Sequence, residues 1–522
     1  MSRPANRRAR AWAWPLVIGL IATLTWSSPA GADASRGGGL GTALDSVLDD
    51  PLLKGGAAGV VVADAGSGDM LYRHRADDRL MPASNTKLFT SAAAMGLLGP
   101  DHTFRTDVLG DGTRHGRTLR GDLYLRGTGD PTMLAADYDR LAKDVADAGI
   151  TRVTGRLVAD DTRFDAQRAG RSWAADDESS YYAAQISPLT LAPDTDYDAG
   201  SVIVEVAPGA AQGERPKVTV TPGTRYVRID NRATTGSGGA LTVERGHGTN
   251  TITVSGAIAP GAQTAKEWVS VWEPTGYATA VFADALKRHG VRVAGATRLG
   301  RATPQDARPL AAHRSMPLKK LLIPFMKLSN NIHAEVLTKA IGYETAGRGT
   351  WSAGLAAIAD YLKKQGVDTG AARQVDGSGL SRMDNIAAGQ LTELLLTVRQ
   401  QPWYADWYAS LPVACAPDRF TGGTLRSRMC GTLAAGNARG KTGSLTGASG
   451  LSGYVTDADG RELVYSVVLN NFLAPSVKSL EDAIVVTLAK SGADGTEPVR
   501  PRTVRGAQET ELECSWLKPR RC

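Results

Sequence analysis

The sequence predicts an α/β (α+β) fold, in which one antiparallel sheet flanked by helices is interrupted by a large β-rich insertion. Three observations predict it. Hairpin-like strand pairs, each followed by a helical pattern, stand near both ends of the chain. Helical patterns also fill most of 317–399, while 101–305 breaks into short alternating runs separated by Gly, Pro, Asn and Asp.

At 522 residues the chain has material for two or three domains. Its beginning reads as a secretory leader, residues 1–34. Arg3, Arg7, Arg8 and Arg10 precede an apolar stretch from Ala11 to Trp26, and then Ala30-Gly31-Ala32 and Ala32-Asp33-Ala34. That stretch is short for a span of about 20 residues. The expectation is cleavage near Asp33 or Ser35 and secretion across the cytoplasmic membrane to the cell envelope, with no stable membrane span; an uncleaved membrane anchor is the rival reading. Without residues 1–34, which hold four arginines and one aspartate, the formal charge of +7 becomes +4. The charges look dispersed and no basic stripe carries interleaved aromatics, so nucleic acid is not an expected partner.

Residues 35–100 form the first part of the main domain. A helical pattern, Leu44 to Leu53, is followed by Gly59-Val60-Val61-Val62, a Gly66-Ser67-Gly68 turn and Met70-Leu71-Tyr72 as a hairpin. Lys87–Leu98 is an Ala- and Leu-rich helix stopped by Gly99-Pro100. The insertion, 101–305, forms one or two subdomains with helices at Tyr138–Ala148 and Tyr277–His289. The second part, 306–495, carries helical patterns at Pro317–Lys327, Ile332–Ile341, Trp351–Gln365 and Ala387–Arg399. It closes with a hairpin, Leu451–Thr456 and Leu463–Leu469, and a helix, Ser476–Lys490. The remainder, 496–522, is a tail.

Four cysteines, an even count in an exported chain, suggest two disulfides. Of three pairings, Cys415–Cys430 with Cys514–Cys522 closes the shortest loops. The spacing does not read as a zinc site, and no metal or other cofactor is expected.

The chemistry rests on three motifs in order: Ser84-Asn85-Thr86-Lys87, Ser329-Asn330-Asn331 and Lys441-Thr442-Gly443. A serine hydroxyl needs a base to become a nucleophile. Lys87, three residues on at a helix start, shares a face with Ser84, and burial with a second cation such as Lys441 promotes the neutral amine. An exposed helical lysine is the alternative. Ser329 and Asn331 sit at a helix break, where they suit a bridge to Lys87 and the substrate amide, or a simple N-cap. Lys441, Thr442, Gly443 and Ser444 suit a strand edge that binds a carboxylate, with the backbone N–H groups of Ser84 and Ser444 as oxyanion donors. Ser-x-x-Lys also occurs at Ser515–Lys518, so the ordered triple carries the weight. The seven histidines form no triad pattern, and His333 reads as a core or surface residue.

With these motifs, Gly127-Thr128-Gly129-Asp130-Pro131, Asp376-Gly377-Ser378-Gly379-Leu380-Ser381-Arg382 and Gly443 through Tyr454, the chain resembles the class C low-molecular-mass penicillin-binding proteins. These are serine D-alanyl-D-alanine carboxypeptidase/endopeptidases of the bacterial envelope. The 245 residues between Ser84 and Ser329, and Asn330 in the middle motif, separate it from class A β-lactamases. The resemblance implies a penicillin-binding/β-lactamase-like domain with an insertion, peptidoglycan stem peptides as substrate and β-lactam antibiotics as inhibitors. It implies Ser84 as nucleophile, Lys87 as base, Ser329 and Asn331 as bridge, and Lys441, Thr442 and Ser444 as carboxylate anchor. It further implies Trp173, Asp176 and Arg382 as recognising the ends of the peptide. The rivals are a β-lactamase or esterase with the same nucleophile and a non-catalytic cell-wall binding protein.

Overall fold

A computed structural model describes residues 38–492 and 495–501. The leader and the Cys514–Cys522 pairing lie outside the described residues. At the centre is a five-stranded antiparallel sheet in the order Met70–His74, Ala57–Asp64, Glu462–Asn470, Ala448–Thr456, Arg439–Leu445. Strands from the two ends of the chain thus pair side by side, and the strand carrying Lys441 forms one edge.

Helices cover both faces of this sheet, which explains the unbroken Val60-Val61-Val62 run. Val60 and Val62 enter a core with helices Gly38–Leu48 and Lys478–Lys490, whereas Val61 points into the core built by helices Thr86–Leu97, Leu318–Lys327, Asn331–Ala346 and Ala388–Thr397. A period-2 strand buried on both sides has no polar face to show.

The first helix runs Gly38–Leu48 rather than through Leu53. Pro51 starts a separate turn in which Asp50 accepts from the Leu52 amide at 2.9 Å, because proline at a helix start has no N–H to lose. A short helix at Tyr404–Ser410 carried no clear pattern in the sequence. The other expected helices are present, with ends shifted by a few residues.

Between the two halves a second core forms around helices Ala135–Asp147 and Pro274–Arg288 and several small sheets. Strand Arg308–Arg314 pairs antiparallel with Arg105–Gly110, closing the five-stranded mixed sheet of this region. Among the described residues no helix is long and apolar enough to cross a membrane.

Candidate active site

Ser84 lies in a 3₁₀ turn, Ala83–Asn85, that runs directly into helix Thr86–Leu97. Ala83 holds a left-handed φ of 47°, a conformation costly for a residue with a side chain. The turn is fixed from outside. Gly379 packs so closely that a Cβ there would lie 1.9 Å from the Ala83 carbonyl oxygen.

Lys87 is fully buried. Its Nζ stands 2.6 Å from Ser84 Oγ, 2.7 Å from Asn331 Oδ1 and 2.9 Å from the main-chain oxygen of Ser378. The last two partners are acceptors only. Two N–H bonds of the amine are therefore spent on them, and whatever remains, a third N–H or a lone pair, faces the serine hydroxyl.

Asn331 opens helix Asn331–Ala346, and the N-cap role falls to Asn330, which accepts from the His333 amide at 3.2 Å. Ser329 and Asn331 are thereby released to face the site. Asn331 Nδ2 donates to the Tyr182 carbonyl at 2.9 Å, which turns its oxygen towards Lys87. Ser329 has φ 56° and sits 2.7 Å from the fully buried amine of Lys441. Asn330 also donates to Tyr197 O and to Asp198, so segment 182–198 holds the middle motif from the side. His333 is core, as one of the two expected readings: burial pushes its imidazole down to about 3, and Nε2 meets Tyr197 O.

The third motif lies along the sheet edge. A Cβ on Gly443 would sit 2.7 Å from Pro82 O and 3.0 Å from Ser84 N, so only glycine lets the strand approach the nucleophile's turn. Ser444 lines the cleft, and its hydroxyl receives a hydrogen bond from Lys478 Nζ at 2.8 Å. Thr442 does not line the cleft. Its hydroxyl meets that of Thr424 at 2.7 Å in the interior.

The cleft, about 730 Å³ of open space, is bordered by Ser84, Ser329, Asn331, Arg382 and Ser444. Arg382 reaches Thr446 O at 3.3 Å. Trp173 and Asp176 do not border the cleft. The Trp173 indole instead donates to Asp376 at 2.9 Å, and Asp176 is exposed on the surface. The neighbouring Asp177 takes the lining position, accepting from Tyr182 OH at 2.8 Å. Nothing in the local sequence distinguishes these two adjacent aspartates.

Of the two carboxylates behind Lys87, Glu335 carried no signal in the sequence, and Asp376 stood in a stretch of the resemblance with no role assigned to it. Glu335 accepts from Gly377 N, Ser378 N and the Trp351 indole at 2.7–2.8 Å. Asp376 accepts from the amides of Gly379 and Ser381, both at 2.7 Å. Together they clamp the loop whose Ser378 oxygen receives the lysine.

A serine, a buried amine against its hydroxyl and a second buried amine on a neighbouring serine make a site for acyl transfer. The model of the D-Ala-D-Ala carboxypeptidase 3 (S13) family matches residues 40–491. The chain belongs to that family. It is 45% identical over 523 residues to the D-alanyl-D-alanine carboxypeptidase of Actinomadura sp. (strain R39), covering 98% of this chain and 96% of that one. It is 26% identical to the D-alanyl-D-alanine carboxypeptidase DacB of Haemophilus influenzae, over 83% of this chain and 89% of the other. The crystal structure of penicillin-binding protein 4 (dacB) from the same species matches the fold with a TM-score of 0.75 at 24% identity, over 86% of this chain and 99% of that one. The penicillin-binding fold expected from the motifs is thus present, and the protein is an enzyme, a serine-type D-Ala-D-Ala carboxypeptidase of the S13 family.

Proposed function

We propose that Ser84 attacks the carbonyl of the penultimate D-Ala in a peptidoglycan stem peptide. Lys87 takes the hydroxyl proton as the oxygen–carbon bond forms, and the N–H groups of Ser84 and Ser444 stabilise the resulting oxyanion. Collapse breaks the amide bond. Ser329, beside the Lys441 amine, passes a proton to the departing nitrogen of the terminal D-Ala. Water then hydrolyses the acyl-enzyme. The Ser444 hydroxyl, held by Lys478, together with the positive field of Lys441, draws the terminal carboxylate. The same acyl-enzyme serves endopeptidase cleavage of cross-links, since both reactions break a D-amino-acid amide.

The observation that carries this reading is the 2.6 Å contact between Lys87 and Ser84, with the amine's other bonds directed at acceptors. β-Lactams acylate the same hydroxyl in this scheme, and the work is done outside the cytoplasmic membrane, as the leader-like N-terminus suggests. Labelled penicillin tests it: the parent is labelled and Ser84→Ala is not, while D-Ala is released from a diacetylated tripeptide by the parent alone. Equal labelling of both proteins ends the proposal. Rapid turnover of penicillin without a lasting adduct favours the β-lactamase reading instead.

A further inference from the structure

The sequence scatters its basic residues, but the fold gathers some of them. The segments 113–121, 151–156 and 290–301 hold eight arginines and no aspartate, glutamate or lysine. In the region between the two halves of the main domain they become neighbouring strands of one four-stranded sheet. Its order is Arg292–Val293, Arg152–Val153, Thr118–Arg120, Thr113–His115. Arg292 stands directly opposite Arg152, and Arg152 opposite Thr118, in register across the sheet.

Alternation assigns the faces. Val153 and Leu119 point into the second core, so Arg152 and Arg120 point outwards, and both are exposed, as are Arg117, Arg156, Arg292 and Arg298. Like charges placed directly opposite each other weaken a sheet. Among the described residues none of these six arginines has a salt-bridge partner. The acids at the border are already engaged. Asp111 accepts from Asp122 N and Tyr124 OH, and Asp122 accepts from Arg156 N. The face therefore carries several like charges with no ion pair to them among the described residues.

We infer that this arginine face is a docking surface for a linear phosphodiester polyanion of the cell envelope. Guanidinium forks match phosphate oxygens in pairs, and strands about 4.8 Å apart offer successive positive charges rather than one pocket. An extended polymer of repeated phosphates uses such a row. A membrane surface fits less well, because these strands expose no large apolar side chain and the adjoining segment exposes only Leu299. The effect is to hold the enzyme on its insoluble substrate's surroundings, leaving the chemistry at Ser84 untouched.

The test is binding of the full mature chain to long-chain inorganic polyphosphate at about 50 mM salt, compared across three proteins. The first is the parent. The second carries Arg120→Glu, Arg152→Glu and Arg292→Glu, and the third carries the same charge change at the exposed Lys54, Lys363 and Lys364. The parent binds, with affinity falling steeply as salt rises. The arginine variant loses at least about tenfold and its salt dependence flattens, whereas the lysine variant stays within about threefold. Activity on a soluble peptide reports folding. If the Glu variant has lost that activity, Arg→Gln at the same three sites replaces it in the comparison, with an expected loss of about threefold or more. Equal losses in the arginine and lysine variants overturn the inference. So does failure of the parent to bind polyphosphate, including the case in which it binds phosphatidylglycerol vesicles instead.

Discussion

Lys478 Nζ donates to Ser444 Oγ at 2.8 Å, reaching from the first turn of the last helix to the edge strand beside the nucleophile. Behind it Glu481 accepts from Ser449 at 2.6 Å and from Arg428 at 2.9 Å, and Arg428 also meets Asp482. A buried row of charges thus orients the one hydroxyl of the third motif that borders the cleft. Replacing Lys478 with Met frees that hydroxyl and removes a cation near the carboxylate end of the substrate. KM for a diacetylated tripeptide rises about tenfold, the equivalent of one charged hydrogen bond, with a smaller fall in kcat. An unchanged KM contradicts this role.

Gly443→Ala places a methyl 2.7 Å from Pro82 O and 3.0 Å from Ser84 N. The edge strand has to shift away from the nucleophile's turn. A misplacement of this size lowers acylation by about 10²-fold, while the rest of the sheet, paired along Ala448–Thr456, still forms. Stopped-flow acylation by a reporter β-lactam reads the loss, and a rate within about threefold of the parent rejects the packing account.

Much of this arrangement is legible from spacing alone. Ser84 and Lys87 are one helical turn apart, so their contact follows from local geometry. Val60 through Val62 and the closing hairpin announce a sheet made from both chain ends. What escapes is carried by backbone atoms and by distant pairs. The Ser378 carbonyl has no signature in any side chain. Lys478 reads as an ordinary surface lysine at a helix start, and Glu335 as one more helical acid. The motif predicts Thr442 at the cleft, and it shares a side of the strand with Ser444, but its hydroxyl is taken by Thr424 in the interior. The arginine face is invisible in the sequence because parallel pairing joins segments far apart in the chain.

Asp384 sits among the carboxylates behind Lys87. Burial, and then the charge and hydrogen bond of Asp376, hold its pKa well above the ordinary 3.8. A carboxyl whose folded pKa is raised keeps its proton in the native state after the unfolded chain has lost it. Its contribution is complete below the unfolded value and disappears as pH rises through the folded one. Asp384→Asn keeps a donor towards Asp376 and does not titrate. The thermal midpoint of the parent therefore declines towards alkaline pH more steeply than that of Asp384→Asn. Superimposable profiles contradict the assignment.

The Cys415–Cys430 disulfide, with Cα atoms 4.9 Å apart, encloses the segment that carries Thr424. Closing a loop of 15 residues is worth about 3 kcal/mol in the chain-entropy account. The Cys415→Ala, Cys430→Ala double variant is expected to unfold at lower denaturant by about that amount, measured by urea titration. It also acylates more slowly, because Thr424 no longer fixes Thr442. Equal stability of the two proteins refutes this.

The proton transfer between Ser84 and Lys87 is tested most directly by the second-order rate constant for acylation by benzylpenicillin in Lys87→Ala, with adduct formation followed by intact-protein mass. Loss of the base lowers it by at least about 10³-fold, with the thermal transition retained. A Lys87→Ala protein that acylates within about tenfold of the parent would show that some other group activates the serine.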